Sequence, residues 1–398
     1  RETNRFLLEM GQWTDDGAMA LCLADSLLAH GGFHPRDLRL RFLAWWKLGY
    51  NNAFGHDGHR RELWGSCESI GLGGIIGKSL EEFQQVPADY TCSGNIHSSG
   101  NGSVMRNAAV PIMYHRSLDA ALEVAWRQSK TTHQGDEAAD CARLLTWICI
   151  RAISGAGKMM LCDLSDFPAR LASTRCLAEA VQEQRCSENE GEDLANRDWR
   201  WRQDDYRYAP ARAASDPGYV GSYAMDCMAM ALHCVHATSS FEAAVLRAAN
   251  RCGDADTVAA VTGQLAGAIY GASAVPSAWR EAVERWDSGG DIQCRAWLLF
   301  DAGGAPTLAP DAFEGPAGKS WTALAFSGAA EEPVGAEPKM SNSDCGGDSP
   351  RAVPEMPLQC EQCGRRFAVG TLLQMHRNKA HGKKKREVQP SGSVALRS

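Results

Sequence analysis

Apolar residues recur at helical spacing in eight separate stretches of this chain, and almost nowhere do they alternate with the period of a strand. The stretches are Ala18–Ala29, Asp37–Leu48, Leu118–Trp126, Ala138–Ile153, Met225–Val235, Phe241–Ala249, Thr257–Tyr270 and Ala278–Trp286. Recurrence at i, i+3 and i+4 commits a segment to a helix with a buried face, because 3.6 residues complete a turn. The fold class that follows is all-α: a compact multi-helix domain with long loops between its helices. The longest uncharged stretch, Thr257 to Ala278, has the length of a bilayer span. Small and polar residues dominate it and Pro276 closes it, so it is predicted as a buried helix, and no membrane contact is expected. Gly263, Gly267 and Gly271 fall on one face of it, a smooth stripe suited to close approach by another helix.

Charge divides the chain. The net charge of −7 hides a tail, residues 351–398, with ten Lys/Arg and three Asp/Glu; that is +7, which leaves −14 on the other 350. An acidic body of that size repels phosphates, which excludes it as a nucleic-acid-binding surface and sets the tail apart. Residues 327–357, rich in Gly, Pro, Ser and Glu, are predicted to be a disordered linker. Residues 1–290 are assigned to the helical domain, 291–326 to its C-terminal extension, 358–383 to a zinc finger and 384–398 to a basic disordered tail. Cys186–Gly218, polar and charged with interspersed Trp and Tyr, reads as an excursion over the surface. The first apolar helix follows Arg1 almost at once, so an N-terminal segment is expected to precede it. Of fifteen cysteines, thirteen lie from Cys22 to Cys345 with no CxxC pair, and the start has no signal-peptide pattern. Reduced thiols and a cytoplasmic or nuclear location are the expectation.

The tail carries Cys360-x2-Cys363, twelve residues, then His376-x4-His381, with Phe367 and Leu373 at the two core positions of a ββα unit. Two thiolates and two imidazoles are a tetrahedral Zn2+ set, and so small a unit needs its metal to fold. Base readout in such fingers uses helix positions −1, 3 and 6. Counted back from His376 these are Val369, Leu372 and Met375, all apolar and none able to read a base edge. The finger is therefore assigned to protein contact or weak, non-specific nucleic-acid tethering, with Lys383–Arg386 adding phosphate affinity or a nuclear address.

Two acidic clusters stand immediately before apolar helices: Thr14-Asp15-Asp16, and Asp254-Ala255-Asp256-Thr257. Helix capping explains one such residue at each start. It does not explain two carboxylates and a hydroxyl at both. Hard oxygen donors without Cys or His nearby suit Mg2+ or Mn2+. Four carboxylates brought together would repel unless cations lay between them, so a two-metal site is the natural arrangement. Ser98 to Arg106, with Gly100-Asn101-Gly102-Ser103 at its centre, is a loop whose glycines permit close backbone approach to a ligand and whose N–H groups suit a phosphate.

These segments together resemble the ADP-ribosylglycohydrolase family, which includes the activator of dinitrogenase reductase. The matching stretches are WTDDGAMALCLADSLL, DLRLRFLAWWKLGY, SIGLGG, SGNGSVMRNAAVPIMY, THQGDEAAD, PGYVGSYAMDCMAMAL and ANRCGDADTVAAVTGQLAGAIYG, in the family's order across about residues 7–285. The resemblance implies an all-α fold, two Mg2+ (or Mn2+) ions and hydrolysis of the bond joining ADP-ribose to a protein side chain or small molecule. It implies metal roles for Thr14, Asp15, Asp16, Asp254, Asp256 and Thr257. Gly100, Asn101, Gly102 and Ser103 match the loop around the distal ribose and diphosphate. His133, Gly221, Ser222 and Tyr223 match ligand-contacting positions. Asp15 or Asp16 would act as general base, and both remain open as that base. Two departures stand out. No counterpart of the family's glycine-rich opening helix, with its Glu, precedes Thr14, and Gly17 stands where Thr or Ser is usual. The alternative is a catalytically inactive ADP-ribose-binding or scaffold protein with a zinc-finger interaction module.

Overall fold

The computed structural model describes residues 6–56, 69–95, 98–182, 198–206, 219–287 and 290–303, with short paired strands at 307–308, 358–359 and 366–367. The chain divides into two units, residues 1–310 and 311–398. The first unit is helical. Its first helices are α1 (Asp15–His30), α2 (Pro35–Leu48), α3 (Gly74–Gln85), α4 (Ala109–Met113), α5 (Leu118–Lys130) and α6 (Asp136–Ile153). They are followed by α7 (Ala172–Glu179), α8 (Ala224–His236), α9 (Phe241–Ala249), α10 (Ala255–Tyr270), α11 (Ser277–Glu284) and α12 (Asp291–Ala302). The eight stretches singled out by periodicity are all helices: six are extended by a few residues at one end or both, Phe241–Ala249 matches its helix, and the last runs Ser277–Glu284, ending two residues before Trp286. Local chemistry sets several starts. Pro35 opens α2, where His34 accepts from the Asp37 N–H at 3.1 Å, and the Ser240 hydroxyl accepts from the Ala243 N–H at 3.1 Å to open α9.

Two helices form the centre. Every residue of α8 from Ala224 to Val235 is buried, and so is all of α6 except Asp136, Arg151 and Ile153. A helix apolar around its whole circumference has to be enclosed. Accordingly α6 packs against α4, α5, α7, α8 and α10, and α10 against α8 and α9. Helix α12 packs on α1 and α4, so it belongs to the first unit. Strands are two residues long. β1 (Gly32–Phe33) pairs in parallel with β4 (Thr307–Leu308), and β2 (Tyr219–Val220) pairs in parallel with β3 (Cys252–Gly253). The second pair matters for function, because it fastens residues 219–223 beside the start of α10.

Two expectations are corrected. The glycine stripe of α10 is not a close helix seam: among the described residues nothing lies within 4 Å of a notional Cβ on Gly263 or Gly271, and beside Gly267 stands only the ring edge of Phe241, the first residue of α9, at 3.9 Å. The described part of the supposed surface excursion, residues 198–206, is instead core. Trp199 and Trp201 are fully buried, and the Trp201 indole donates to the Leu177 carbonyl at 2.7 Å while the Trp201 carbonyl meets His233 Nδ1 at 2.9 Å. Two tryptophans outweigh the charged residues around them in burial free energy. Among the described residues no helix is long and apolar enough to cross a membrane.

In the second unit, β5 (Leu358–Gln359) pairs antiparallel with β6 (Arg366–Phe367). Cys360, Cys363, His376, His381, the linker at 327–357 and the basic tail lie outside the described residues.

Candidate functional site

The two acidic clusters open their helices without capping them. Neither Thr14 nor Asp254 makes a side-chain cap bond; the Thr14 hydroxyl donates instead to Asp16 Oδ2 at 2.9 Å. Asp15 and Asp16 are both buried in the first turn of α1. Asp254 Oδ2 accepts from Asn101 Nδ2 at 2.7 Å, which ties the glycine loop to the start of α10. The loop is tied a second time. The Asn101 N–H donates to the Ser222 carbonyl at 2.8 Å, the Ala224 N–H donates to the Ser99 carbonyl at 2.9 Å, and Gly100 bridges Tyr223. Three stretches remote in sequence are thus laced by main-chain bonds into one wall.

The wall faces a cleft of about 780 Å³, a size suited to a ligand of nucleotide dimensions. Asp15, Asp254, Asp256 and Thr257 line it on the acidic side, Gly100, Asn101 and Gly102 on the loop side, and His133 and Ser222 complete it. The acidic starts of α1 and α10 therefore meet. Their proximity is felt in their acidity. Burial first, then Asp16, then Asp256 and Asp254 push the Asp15 carboxyl up to about 9. Burial, then Asp256 and Asp254, push Asp16 up to about 7, against the hydrogen bond from Thr14. Burial raises Asp254 as well, opposed by Asn101. Among the described residues nothing hydrogen-bonds to the buried Asp16 Oδ1, an unmet acceptor that a cation would satisfy. Among the described residues no three His, Cys, Asp or Glu side chains are drawn up into a ready-made metal cage. Beneath the cluster, burial and the charges of Asp254 and Asp16 hold Cys227 as a thiol.

Other predicted site residues stand further back. Ser103 is fully buried behind the loop, where its hydroxyl accepts from Ser129 at 2.8 Å. The Tyr223 hydroxyl donates to Glu137 and does not line the cleft, and Gly221 does not line it either. Thr14 and Asp16 lie behind Asp15. At Gly17 the missing hydroxyl has a structural counterpart: a Cβ there would meet the Trp13 ring at 2.8 Å, so the indole fills that space.

One wall was not assigned to the site from sequence. Gly71-Leu72-Gly73-Gly74, with Ile75 and Ile76, also lines the cleft, the two isoleucines lying against Gly100 and Gly102 of the loop. Gly71 has φ +84°, and a Cβ there would fall 2.0 Å from Asp15 Oδ1. Only glycine permits that backbone to lie against the carboxylate. The glycine density of SIGLGG was its signal. Gly102 meets a similar demand, since a Cβ would sit 2.7 Å from Ile76 Cδ1 and 3.3 Å from His133 Cε1.

Fold and cleft together define a class: a helical domain that holds two acidic helix starts against a glycine-lined cleft of small-molecule size. The family model described as ADP-ribosylglycohydrolase matches residues 2–307, and the chain belongs to that family. It is similar to the ADP-ribosylarginine hydrolase Tri1 of Pseudomonas putida (strain GB-1), 32% identical over 299 residues, 74% of this chain and 68% of the relative. Tri1 of Serratia proteamaculans (strain 568) is 28% identical over 70% of this chain and 65% of its own length, so the chain spans about two thirds of both. The ADP-ribosyl-[dinitrogen reductase] glycohydrolase of Rhodospirillum rubrum is 25% identical over 70% of this chain and 75% of the relative. Among solved structures, one titled ADP-ribosylglycohydrolase-related protein complex superposes with a TM-score of 0.55 at 30% identity, covering 75% of this chain and 84% of that one. These named relatives are enzymes that act on ADP-ribose linkages.

Proposed function

We propose that this chain hydrolyses the glycosidic bond between ADP-ribose and an acceptor, and that the acceptor is an arginine side chain. The observation that carries the reading is the meeting of Asp15 with Asp254 and Asp256, about 240 positions later, across one cleft beside Gly100–Gly102. The acceptor is supported by the 32% identity to a relative named for ADP-ribosylarginine. The hard donor set, the unmet Asp16 Oδ1 and the weakened acidities of Asp15 and Asp16, two crowded carboxyls that cations would discharge, fit a pair of Mg2+ or Mn2+ ions. Thr14, Asp15, Asp16, Asp254, Asp256 and Thr257 would hold them. Bound there, the ions would supply charge neutralisation and Lewis-acid activation.

The chain's own residues do the rest. Asp15 is the α1 carboxylate on the cleft surface, and we assign it the proton of the attacking water as general base. Asp16, fixed in orientation by the Thr14 hydroxyl, stands behind it and would serve the ions rather than the water. The N–H groups of Gly100 and Gly102, with the Ser222 segment, hold the diphosphate and distal ribose, and Ile75 and Ile76 keep bulk water off that side. The bond to the acceptor nitrogen breaks at an oxocarbenium-like carbon, water adds there, and the departing guanidine takes up a proton. The test is release of ADP-ribose from arginine-modified protein in Mg2+. Release that stops with chelator, and falls at least about a hundredfold in Asp254→Ala and in Asp256→Ala, supports the reading. A folded protein that binds ADP-ribose with no release in Mg2+ or Mn2+ overturns it in favour of a non-catalytic binder.

For the tail we propose a Zn2+ finger held by Cys360, Cys363, His376 and His381, serving protein contact or weak nucleic-acid tethering. The antiparallel pairing of Leu358 with Phe367 and of Gln359 with Arg366 supports the hairpin such a unit needs around its two cysteines. One zinc per full-length chain, lost in Cys360→Ser, is the expected result of metal analysis.

A further inference from the structure

His133 lies against the loop, and the question is which of its ring nitrogens carries the proton. Nε2 is the nitrogen nearer the loop: notional Cβ atoms on Gly100 and Gly102 would come within 3.4 and 3.5 Å of it. No hydrogen-bond partner meets Nε2 among the described residues, and His133 lines the cleft. Nδ1 meets the hydroxyl of Thr132 at 2.8 Å. That hydroxyl is fully buried and has one other partner, Arg106, whose Nη2 donates to it at 2.9 Å. Arg106 is itself held rigidly. Its Nε donates to Gln128 Oε1 at 2.9 Å, its Nη2 to the Gln128 carbonyl at 2.8 Å, and its guanidinium lies over the Phe42 ring at 4.4 Å.

A hydroxyl has one proton to give. Arg106 has no lone pair with which to accept it, and no other acceptor meets Thr132 Oγ1 among the described residues. The proton therefore goes to His133 Nδ1. The opposite arrangement, with Nδ1–H donating to Thr132, would leave a buried O–H with nothing to bond, which is costly in an apolar interior. The hydrogen bond at one ring nitrogen decides the state of the other.

We propose that Arg106 and Thr132 are positioning residues that lock His133 as the Nε2–H tautomer, so that the cleft is offered a neutral hydrogen-bond donor and not a proton acceptor. Burial and the neighbouring Arg106 and Lys130 charges also keep the imidazole unprotonated. The donor then serves an oxygen of the bound ligand, a phosphate or a sugar hydroxyl. This excludes His133 as the base that activates water. Only the choice of ligand in the binding measurement below rests on the ADP-ribose reading.

The test is a 15N–1H correlation spectrum of ligand-free protein labelled on its histidines, with His133 identified by loss of its signal in His133→Gln. The expected pattern is a protonated Nε2 and an unprotonated Nδ1. A protonated Nδ1, or protons on both nitrogens at neutral pH, overturns the proposal; the tautomer is read on the wild-type protein, and the substitution serves only to assign the signal. Thr132→Val, close in shape but without the hydroxyl, should mix the tautomers and weaken ADP-ribose binding about tenfold, the value of one lost hydrogen bond to a charged group. Thr132→Ser should restore both. An unchanged tautomer in Thr132→Val also overturns the proposal. A wild-type protein that shows the expected tautomer yet binds no ADP-ribose leaves the lock standing and removes the ligand reading instead.

Discussion

Stripped of divalent cations, this protein should lose stability as pH rises from 7 to 8. Burial, then the neighbouring Asp16, hold the Asp15 carboxyl up to about 9 in the folded state, whereas an aspartate in the unfolded chain titrates near 4. Between those values the folded state keeps a proton that the unfolded state has released, so stability falls with rising pH. Asp16, at about 7, adds to the fall mainly at the lower end of the window. One retained proton is worth about 1.4 kcal/mol per pH unit. For a unit of some 300 residues that is a drop in Tm of roughly 2–3 °C between pH 7 and 8. The window isolates the carboxyl. Burial lowers the His133 and His233 imidazoles, and their effect, of opposite sign, is complete once pH exceeds the unfolded value near 6.5. Buried thiols such as Cys149 and Cys227 add a loss of the same sign only above about pH 8.5. The assay is thermal unfolding in chelator at pH 7, 7.5 and 8, repeated with Asp15→Asn. The substitution should flatten the slope, and saturating Mg2+ should reverse the disadvantage by a stabilisation that grows with pH, because the ion displaces the proton. A Tm in chelator that is flat or rising across the window, or a slope unchanged in Asp15→Asn, would refute the claim that these carboxyls are crowded together.

Gly71→Ala should leave the helical fold intact at a cost of about 1–2 kcal/mol for its left-handed backbone while displacing Asp15; circular dichroism should be unchanged and the Mg2+-linked rise in Tm lost. Asn101→Leu removes the donor to Asp254 Oδ2 and should weaken Mg2+ affinity by about tenfold in a thermal-shift titration; unchanged affinity would separate the loop from the acidic cluster. Trp201→Ala should cost about 3–5 kcal/mol in denaturant unfolding, since the indole is fully enclosed and hydrogen-bonded. A loss below about 1 kcal/mol would mean that residues 198–206 are not core.

Much of the architecture was legible because helical periodicity is a local property. Eight helices follow from apolar spacing alone. Those missed are informative. The α3 stripe of Ile76, Leu80 and Phe83 begins among glycines, which disguise a helix start as a loop. α4 and α7, at five and eight residues, are too short to show a period, and α12 buries only Leu299, so its sequence carries no inward stripe. The site was legible in its chemistry: two carboxylates and a hydroxyl at each of two helix starts, and a glycine loop. Burial of Trp199 and Trp201 was not, because the charged residues around them dominate the local pattern.

Residue order by itself determined that this chain forms helices, that its acidic clusters head two of them, and that the family pattern runs from one cluster to the other. Only the packed structure decided that those helix starts share a cleft, because the contacts joining them run through partners far away in the chain: Asn101 to Asp254, Gly100 to Tyr223, and β2 to β3. It also decided that Gly71 must be glycine, that Ser103 and Tyr223 serve the wall and not its surface, and which nitrogen of His133 holds the proton. Each of these depends on which atoms meet across long loops, and spacing along a chain carries no record of that.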